Sequence, residues 1–469
     1  MIHIALYAVI ITALFFFVLN TIYLFILAIA LFAINKKKRL QFPFDTQQAF
    51  RYRLLPPVTI ILPAYNEEKT IVQSVRSLLS IRYPEYDLIV VNDGSKDKTL
   101  ELLKKVFNLK KTDYVFRKSI ETEEVRDIYI SDSFKSLIVI DKKNGGKADA
   151  LNSGINVSKY PYFCAIDADT VLGEDALVKL IHPFIDDPER TIAVGGVVKA
   201  ANGCQFHNGR LLDESLPRNL LVLLQMIEYA RAFFMGRMGL AAINSLLIIS
   251  GAFGLFKKDE VIKVKGYKKK SLGEDMMLVM KLHKLKRKEK KKYRITFVPD
   301  TVSWTEMPSK LRILKKQRVR WQMGLLESIF DNIDMFFNPK YGIIGIFSVP
   351  FYFFSEVIPP FLELLSYAAI IFGLVYQLLP ISYIYYFITV TWIYGIANSL
   401  IAILLDHYIL SSSPRFKYIA IKFISSFIEN FFYRQLNVIY KIIGIFKYIA
   451  KKRDWGEMER QGFNKGSKR

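Results

Sequence analysis

Residues 163–170 read FCAIDADT, an apolar run that stops at two aspartates one residue apart, Asp167 and Asp169. A buried strand that runs into paired carboxylates builds a hard-oxygen site at a sheet's carboxyl edge, suited to a Mg2+ or Mn2+ ion carrying a diphosphate. A lone D-x-D is more often a solvated turn, so its weight comes from its company. Residues 91–99 (VNDGSKDKT) set Asp93 at the end of an apolar run, with Gly94 turning the chain. A carboxylate there can accept from the N–H of a uracil ring, and Asn66 and Glu67, in residues 63–68 (PAYNEE), can hold ribose and base. In residues 144–154 (NGGKADALNSG) two glycines and a lysine stand where a helix should begin. Backbone N–H groups at a helix start attract phosphate, and Lys147 adds a point charge beside Gly146, although the spacing is not that of a Walker loop.

Other residues fit the second half of a transfer reaction. Residues 272–284 (LGEDMMLVMKLHK) put Glu274 and Asp275 just before a helix on which Met276, Val279, Met280 and His283 share a face. Acidic residues at a helix start are frequently caps. The sharper reading is a general base that takes the proton of a sugar hydroxyl attacking an anomeric carbon, with Asp275 as the base and Glu274 orienting it. Gln317, Arg320 and Trp321 fall at i, i+3 and i+4, on one side of a helix. Indole stacks on a sugar's apolar face, and the amide and guanidinium can reach hydroxyls or a leaving pyrophosphate; tryptophan beside arginine on a basic amphipathic helix is equally an interfacial anchor.

These motifs need a scaffold. Between residues 58 and 198, β-rich runs at 58–62, 88–91, 137–140, 162–166 and 192–194 alternate with helix-like stretches, one of which sets Ile71, Val75, Leu78 and Leu79 on one face. Such alternation predicts a largely parallel sheet with ligands beyond the strands' carboxyl ends, where the polar motifs sit. Residues 110–136 are polar and irregular and read as an insertion on the sheet's rim.

The 469 residues are 52% hydrophobic and 14% aromatic, too apolar for an ordinary soluble enzyme. The excess lies in the first 34 residues and from about 341 to 450. Residues 4–34 carry no charge and would span roughly 46 Å as a helix, more than the roughly 30 Å hydrocarbon core needs. The basic run Lys36, Lys37, Lys38, Arg39 follows this segment, so it reads as an anchor with its N-terminus outside and the middle of the chain in the cytoplasm, not as a cleaved signal peptide. Residues 358–379 and 381–405 read as two further crossings, whereas 343–352 and 418–446 are shorter or more charged and suit the interface. A formal charge of +23 raises nucleic acid as a partner. The positive residues, however, lie beside membrane segments and in residues 281–294 (KLHKLKRKEKKKYR), which fits a face against anionic lipid and argues against nucleic acid. Cys164 and Cys204 have no metal-ligand spacing, and a cytoplasmic domain would keep them reduced.

Taken in order, D-G-S at Asp93, D-x-D at Asp167 and Asp169, G-E-D ending at Asp275 and Q-x-x-R-W from Gln317 to Trp321 resemble the membrane-embedded family 2 glycosyltransferases, the group of the cellulose, hyaluronan and poly-N-acetylglucosamine synthases. The resemblance covers nearly the whole chain. It implies an α/β GT-A catalytic domain, Rossmann-like with a largely parallel sheet, joined to transmembrane and interfacial α-helices. It also implies a metal-dependent, inverting transfer from a UDP-sugar to an acceptor hydroxyl. Asp93 would then contact the uracil, Asp167 and Asp169 the diphosphate and its Mg2+ or Mn2+, and Asp275 would be the base. Gln317, Arg320 and Trp321 would line the acceptor and pyrophosphate end. Ser250 and Gly251 resemble the loop such enzymes place beside the acceptor sugar, and Trp455 and Arg460 resemble a gating segment over the nucleotide.

The expected organisation is an anchor over 1–40, a cytoplasmic GT-A domain over 50–310, amphipathic interface helices over 311–357, transmembrane or interfacial helices over 358–450 and a charged tail over 451–469, in a multi-pass plasma-membrane protein. Expected partners are a UDP-sugar donor, a glycan or lipid acceptor, the bilayer, and an accessory export subunit or a second copy of the chain. Two products stay open. One is a β-linked polysaccharide fed across the bilayer, for which Glu356 and Glu363 would be polar lining; the other is a single sugar placed on a membrane lipid. A nucleotide-sugar sensor without catalysis is disfavoured because the metal aspartates and the base occur together.

Overall fold

The computed structural model of this chain describes residues 2–40, 55–207, 210–377, 380–410 and 416–452. Two compact units emerge: one from residues between 40 and 217 with Leu246–Met307, the other from the N-terminal helix, Arg218–Ser245 and the residues from Pro308 on.

The first unit is built on a ten-stranded sheet and a separate two-stranded hairpin. The sheet's strands are β1 (Val58–Ala64), β2 (Tyr86–Asp93), β3 (Leu109–Thr112), β4 (Val125–Ser131), β5 (Leu137–Lys142), β6 (Tyr162–Ala165), β7 (Thr170–Leu172), β8 (Thr191–Ala200), β11 (Gly254–Lys257) and β12 (Arg294–Thr305). The hairpin pairs β9 (Gln205–His207) with β10 (Arg210–Asp213). Across the sheet the order is β3-β4-β5-β2-β1-β6-β11-β8-β12-β7. β5, β2, β1 and β6 run parallel to one another, whereas β11 lies antiparallel between β6 and β8. Ile60, Ile61 and Leu62, together with Leu88, Ile89, Val90 and Val91, are fully buried. A continuous apolar run, not an alternating one, is what a strand covered on both faces requires. The chain lays β2 and β5 on one side of β1 and then returns to place β6 on the other, and ligands gather at such a reversal, beyond the strands' carboxyl ends.

The expected strands are all present, but residues 110–136 are more regular than their composition indicates. They hold β4 and most of β3: β3 is the sheet's edge, and β4 lies antiparallel between it and β5. Lys110 and Lys111 stand on β3 and pair with Asp132 and Asp127; charge on an edge strand blunts pairing with other chains and hides the strand's period.

In the second unit the first of the amphipathic helices expected over 311–357 is Leu311–Asp331. Two described helices are long and apolar enough to cross a membrane, Val9–Asn35 with 27 residues and Ile344–Val375 with 32, and Tyr394–Leu410 is apolar but shorter. The second of these joins two stretches that the sequence shows as separate. Glu356 and Glu363, read as polar lining, each carry a cation: Lys441 at 2.6 Å and Arg434 at 3.1 Å.

His283, on the helix Glu274–Lys288 of the first unit, is fully buried. Its Nε2 lies 2.8 Å from the Leu246 carbonyl and its Nδ1 2.7 Å from the Tyr293 hydroxyl. A carbonyl only accepts, so the neutral ring carries its proton on Nε2 and Nδ1 accepts from tyrosine. Burial pushes the His283 pKa down to about 4. The folded chain therefore binds fewer protons than the unfolded chain between about pH 6.5 and about pH 4, and stability falls as pH drops through that window, by up to about 3 kcal/mol from this group. His283→Gln should flatten that part of the pH dependence, read as the thermal midpoint of wild type and variant at about pH 7 and about pH 4.5.

Candidate active site

β6 ends at Ala165, and the Asp167 carbonyl then accepts from the Thr170 N–H at 3.0 Å to close a turn in which Asp167 and Asp169 are both half-buried. β5 ends at Lys142, and the chain passes through Asn144, Gly145 and Gly146 into the helix Lys147–Val157. Gly146 has φ +86°, a conformation that side chains resist, so the turn presenting Lys147 at the helix start depends on that glycine. Lys147 Nζ lies 2.6 Å from Asp167 Oδ1 and 3.3 Å from Glu274 Oε1. Asp275 Oδ1 accepts from the Met276 N–H at 2.8 Å and Oδ2 from the Gly251 N–H at 3.3 Å. A Cβ on Gly251 would stand 2.9 Å from Lys147 Nζ. Lys147, Asp167, Gly251, Glu274 and Asp275, far apart in sequence, therefore meet at one place, with Ser250 adjoining. Burial acts to lower the Lys147 pKa, but Asp167, Glu274 and Asp275 outweigh it and hold the ammonium above the ordinary lysine range.

Asp93 ends β2 and is 3% exposed. Its Oδ1 accepts from Lys142 Nζ at 2.6 Å and from the Gly145 N–H at 3.0 Å, and its Oδ2 from the Gly146 N–H at 2.7 Å. The carboxylate thus grips the glycine turn that precedes Lys147. Asn66, at φ +56°, ties the end of β1 to that of β2: its N–H donates to Ser95 Oγ at 3.0 Å and its Oδ1 accepts from the Lys96 N–H at 2.9 Å. The Glu67 N–H donates to Thr99 Oγ1 at 2.8 Å, and its carboxylate accepts from the Thr70 hydroxyl at 2.8 Å. Lys142 and Asp149, which the sequence motifs do not single out, are both fully buried; the signal available was a lysine closing a β-rich run.

Gln317, Arg320 and Trp321 stand on Leu311–Asp331, in the other unit. There the Trp321 ring lies 4.3 Å from the Arg318 guanidinium and 6.3 Å from the Tyr229 ring. Trp455 and Arg460 lie outside the described residues. Among the described residues no group of three or more His, Cys, Asp or Glu side chains is arranged to hold a metal ion. A hard cation at Asp167 and Asp169 would find two carboxylates at most. Mg2+ commonly binds through one or two carboxylates with phosphate oxygens and water completing its shell, so this donor set fits a cation that arrives with a diphosphate.

Against known proteins, the family described as Glycosyl transferase family 2 matches residues 59–259, and Glycosyl transferase family group 2 matches residues 162–403. The poly-beta-1,6-N-acetyl-D-glucosamine synthase of Staphylococcus aureus is 31% identical over 291 residues, covering 61% of this chain and 60% of the relative. The synthase of the same name from Staphylococcus epidermidis is 29% identical over 313 residues, 66% of this chain and 64% of the relative. The chain thus spans about three fifths of the length of the curated relatives it matches. Among solved structures, a mannosyltransferase from Pyrobaculum calidifontis, in complex with GDP-Man and Mn2+, aligns with a TM-score of 0.55 at 17% identity over 94% of this chain and 99% of that one. That likeness is one of fold, and with the family match it bears out the GT-A architecture expected from the sequence.

Gly94 turns the chain after β2 at φ +67°, and a Cβ there would fall 2.8 Å from the Asn144 backbone nitrogen. Gly94→Ala should therefore cost about 1–3 kcal/mol, seen as a lower thermal midpoint of the purified chain. Gly173→Ala, whose Cβ would meet nothing nearer than 3.4 Å, is the control and should stay within about 0.5 kcal/mol of wild type.

Proposed function

Because this chain belongs to the glycosyl transferase family group 2, we propose that it is an inverting, metal-dependent membrane enzyme that moves a sugar from a UDP-sugar onto a growing β-linked polysaccharide. The observation that carries this is the Lys147 ammonium held between Asp167 and Glu274, with Gly251 and Asp275 beside it: groups suited to a diphosphate and a group suited to accept a proton share one place at the sheet's carboxyl edge.

Asp167 and Asp169 would hold the Mg2+ or Mn2+ ion, which when bound supplies positive charge to the leaving diphosphate. Lys147 adds a second positive charge there, while Asn66, Glu67 and Asp93 shape the nucleotide end through the loops they hold. Asp275 takes the proton of the acceptor hydroxyl as that oxygen bonds to the anomeric carbon. The bond from this carbon to the diphosphate oxygen breaks on the opposite face, and its electron pair leaves with UDP, so the configuration inverts. Glu274, expected beside Asp275 as its orienting neighbour, also pairs with Lys147 and would hold that lysine in place, and Ser250, Gly251, Gln317, Arg320 and Trp321 would serve the acceptor. The apolar helices, with the basic run from Lys36 to Arg39 after the first, support a multi-pass plasma-membrane protein whose catalytic unit faces the cytoplasm. The names of the staphylococcal relatives make N-acetylglucosamine the first sugar to test.

Membranes carrying the full chain should convert radiolabelled UDP-N-acetylglucosamine, UDP-glucose or UDP-glucuronate, with Mg2+ or Mn2+, into a ladder of polymer. One chloroform-soluble glycolipid would redirect the acceptor to a lipid, and no labelled product from any donor would overturn the proposal. Asp275→Asn should keep UDP affinity within about threefold while lowering transfer by about a hundredfold or more. Unchanged turnover would remove Asp275 from the base role.

A further inference from the structure

Beneath the glycine turn lies a charge cluster of which only Asp93 enters the reading above. Lys142, the last residue of β5, is completely buried, and its Nζ lies 2.6 Å from Asp93 Oδ1 and 2.7 Å from Asp149 Oδ2, and donates to the Lys143 carbonyl at 2.5 Å. The ammonium thus donates to two protein oxygens and is ion-paired with a third. Asp149, in the first turn of the helix Lys147–Val157, is also completely buried, accepts from the Glu123 N–H at 3.1 Å and pairs with Lys269 at 3.2 Å. Two carboxylates and two ammonium groups leave the cluster neutral.

Its position gives it a consequence. Asp93 binds the N–H groups of Gly145 and Gly146, and Asp149 belongs to the helix that Lys147 begins. A Cβ on Gly145 would lie 2.5 Å from Asp149 Oδ2, so the turn is pressed directly against this carboxylate. One buried ammonium therefore fastens the end of β2 to the start of the helix, and the segment between its two anchors is the one that presents Lys147. We infer that Lys142 is a positioning residue for the donor site: it never touches the nucleotide sugar, and it fixes the Gly145–Gly146–Lys147 turn in the shape that receives the diphosphate. This rests on the functional reading above, in which Lys147 faces that diphosphate.

The test uses the full chain in detergent, with UDP as the probe in a calorimetric titration and the donor KM and kcat read separately. Lys142→Met leaves Asp93 and Asp149 without the cation between them. It should weaken UDP binding and raise the donor KM by about tenfold or more, while kcat at saturating donor moves by no more than about threefold. Asp149→Asn keeps Lys142 paired with Asp93 and should raise the donor KM by only about threefold. Because the two act as a unit, the double variant should be no worse than Lys142→Met alone. A purely structural lysine would instead lower the yield of folded protein and leave the UDP constant of the folded fraction unchanged, and that result overturns the inference. If Lys142→Met does not fold, Asp149→Asn decides: weaker UDP binding supports the positioning role, and unchanged binding refutes it. Absence of UDP binding by the wild-type chain would remove the donor-site reading and this inference together, whereas wild-type binding matched by the variants removes the inference alone.

Discussion

Carboxylates gathered at one edge of a sheet repel one another, and where they are buried that repulsion has to be met inside the fold. This chain meets it with two lysines at either end of one short connection. Lys142 closes β5 and pairs with both Asp93 and Asp149; Lys147 opens the next helix and stands between Asp167 and Glu274. Burying such pairs gains little stability on balance, because the desolvation of each ion offsets most of the attraction. Removing one partner, however, commonly costs about 3–5 kcal/mol. The consequence is geometric: conformations that separate the charges are expensive, so the turn between the two lysines has one shape.

The lysines differ in what surrounds them. Lys142 is sealed from solvent, with three protein oxygens around its ammonium. The Lys147 side chain is 22% exposed and its neighbour Asp167 27%, so a ligand arriving at the sheet edge can reach both. A frame that is closed and a working face that is open are thus built from the same residue type, and the distinction lies in burial alone. The glycines between them serve the same division: Gly146 supplies a left-handed backbone at the helix start, and Gly145 has no room for a side chain above Asp149.

Much of this was legible in the residues. Continuous apolar runs announced the central strands, and polar residues closing each run announced a site at the carboxyl edge. Residues 110–136 hid β3 and β4 because β3 is a short, charged edge strand and β4 interrupts its apolar residues with Arg126 and Asp127, where central strands carry unbroken valine and isoleucine. Lys142 was opaque for a related reason: a lysine at a strand's end is ordinarily a solvated terminus, and only the register of β2 against β5, which sets Asp93 opposite Lys142, reveals that it is enclosed. By spacing, Asn66 and Asp93 face outward, toward a nucleotide, whereas in the fold their hydrogen bonds run first to the loops around them. Spacing identifies which polar atoms cluster but not which of them the backbone already uses.

The same requirement for charge pairing recurs in the unit that holds the apolar helices, where a buried ion left without its partner is costly. Arg231 and Glu429 form a bidentate pair with both bonds at 2.6 Å, and each is the first residue of a π-helical turn, Arg231–Arg237 and Glu429–Tyr433. A π turn inserts a residue into a helix and rotates the remainder of that helix about its axis. Tyr433, at the end of the second turn, donates to Glu228 at 2.6 Å and accepts from Arg318 at 3.0 Å. Arg318 in turn stands over the Trp321 ring. Helices that are apolar on nearly every side would otherwise have no reason to settle at one rotation about their axes. Pairing a few charges across them, at points where the helical repeat is locally broken, selects that rotation and with it the direction in which Trp321 is held.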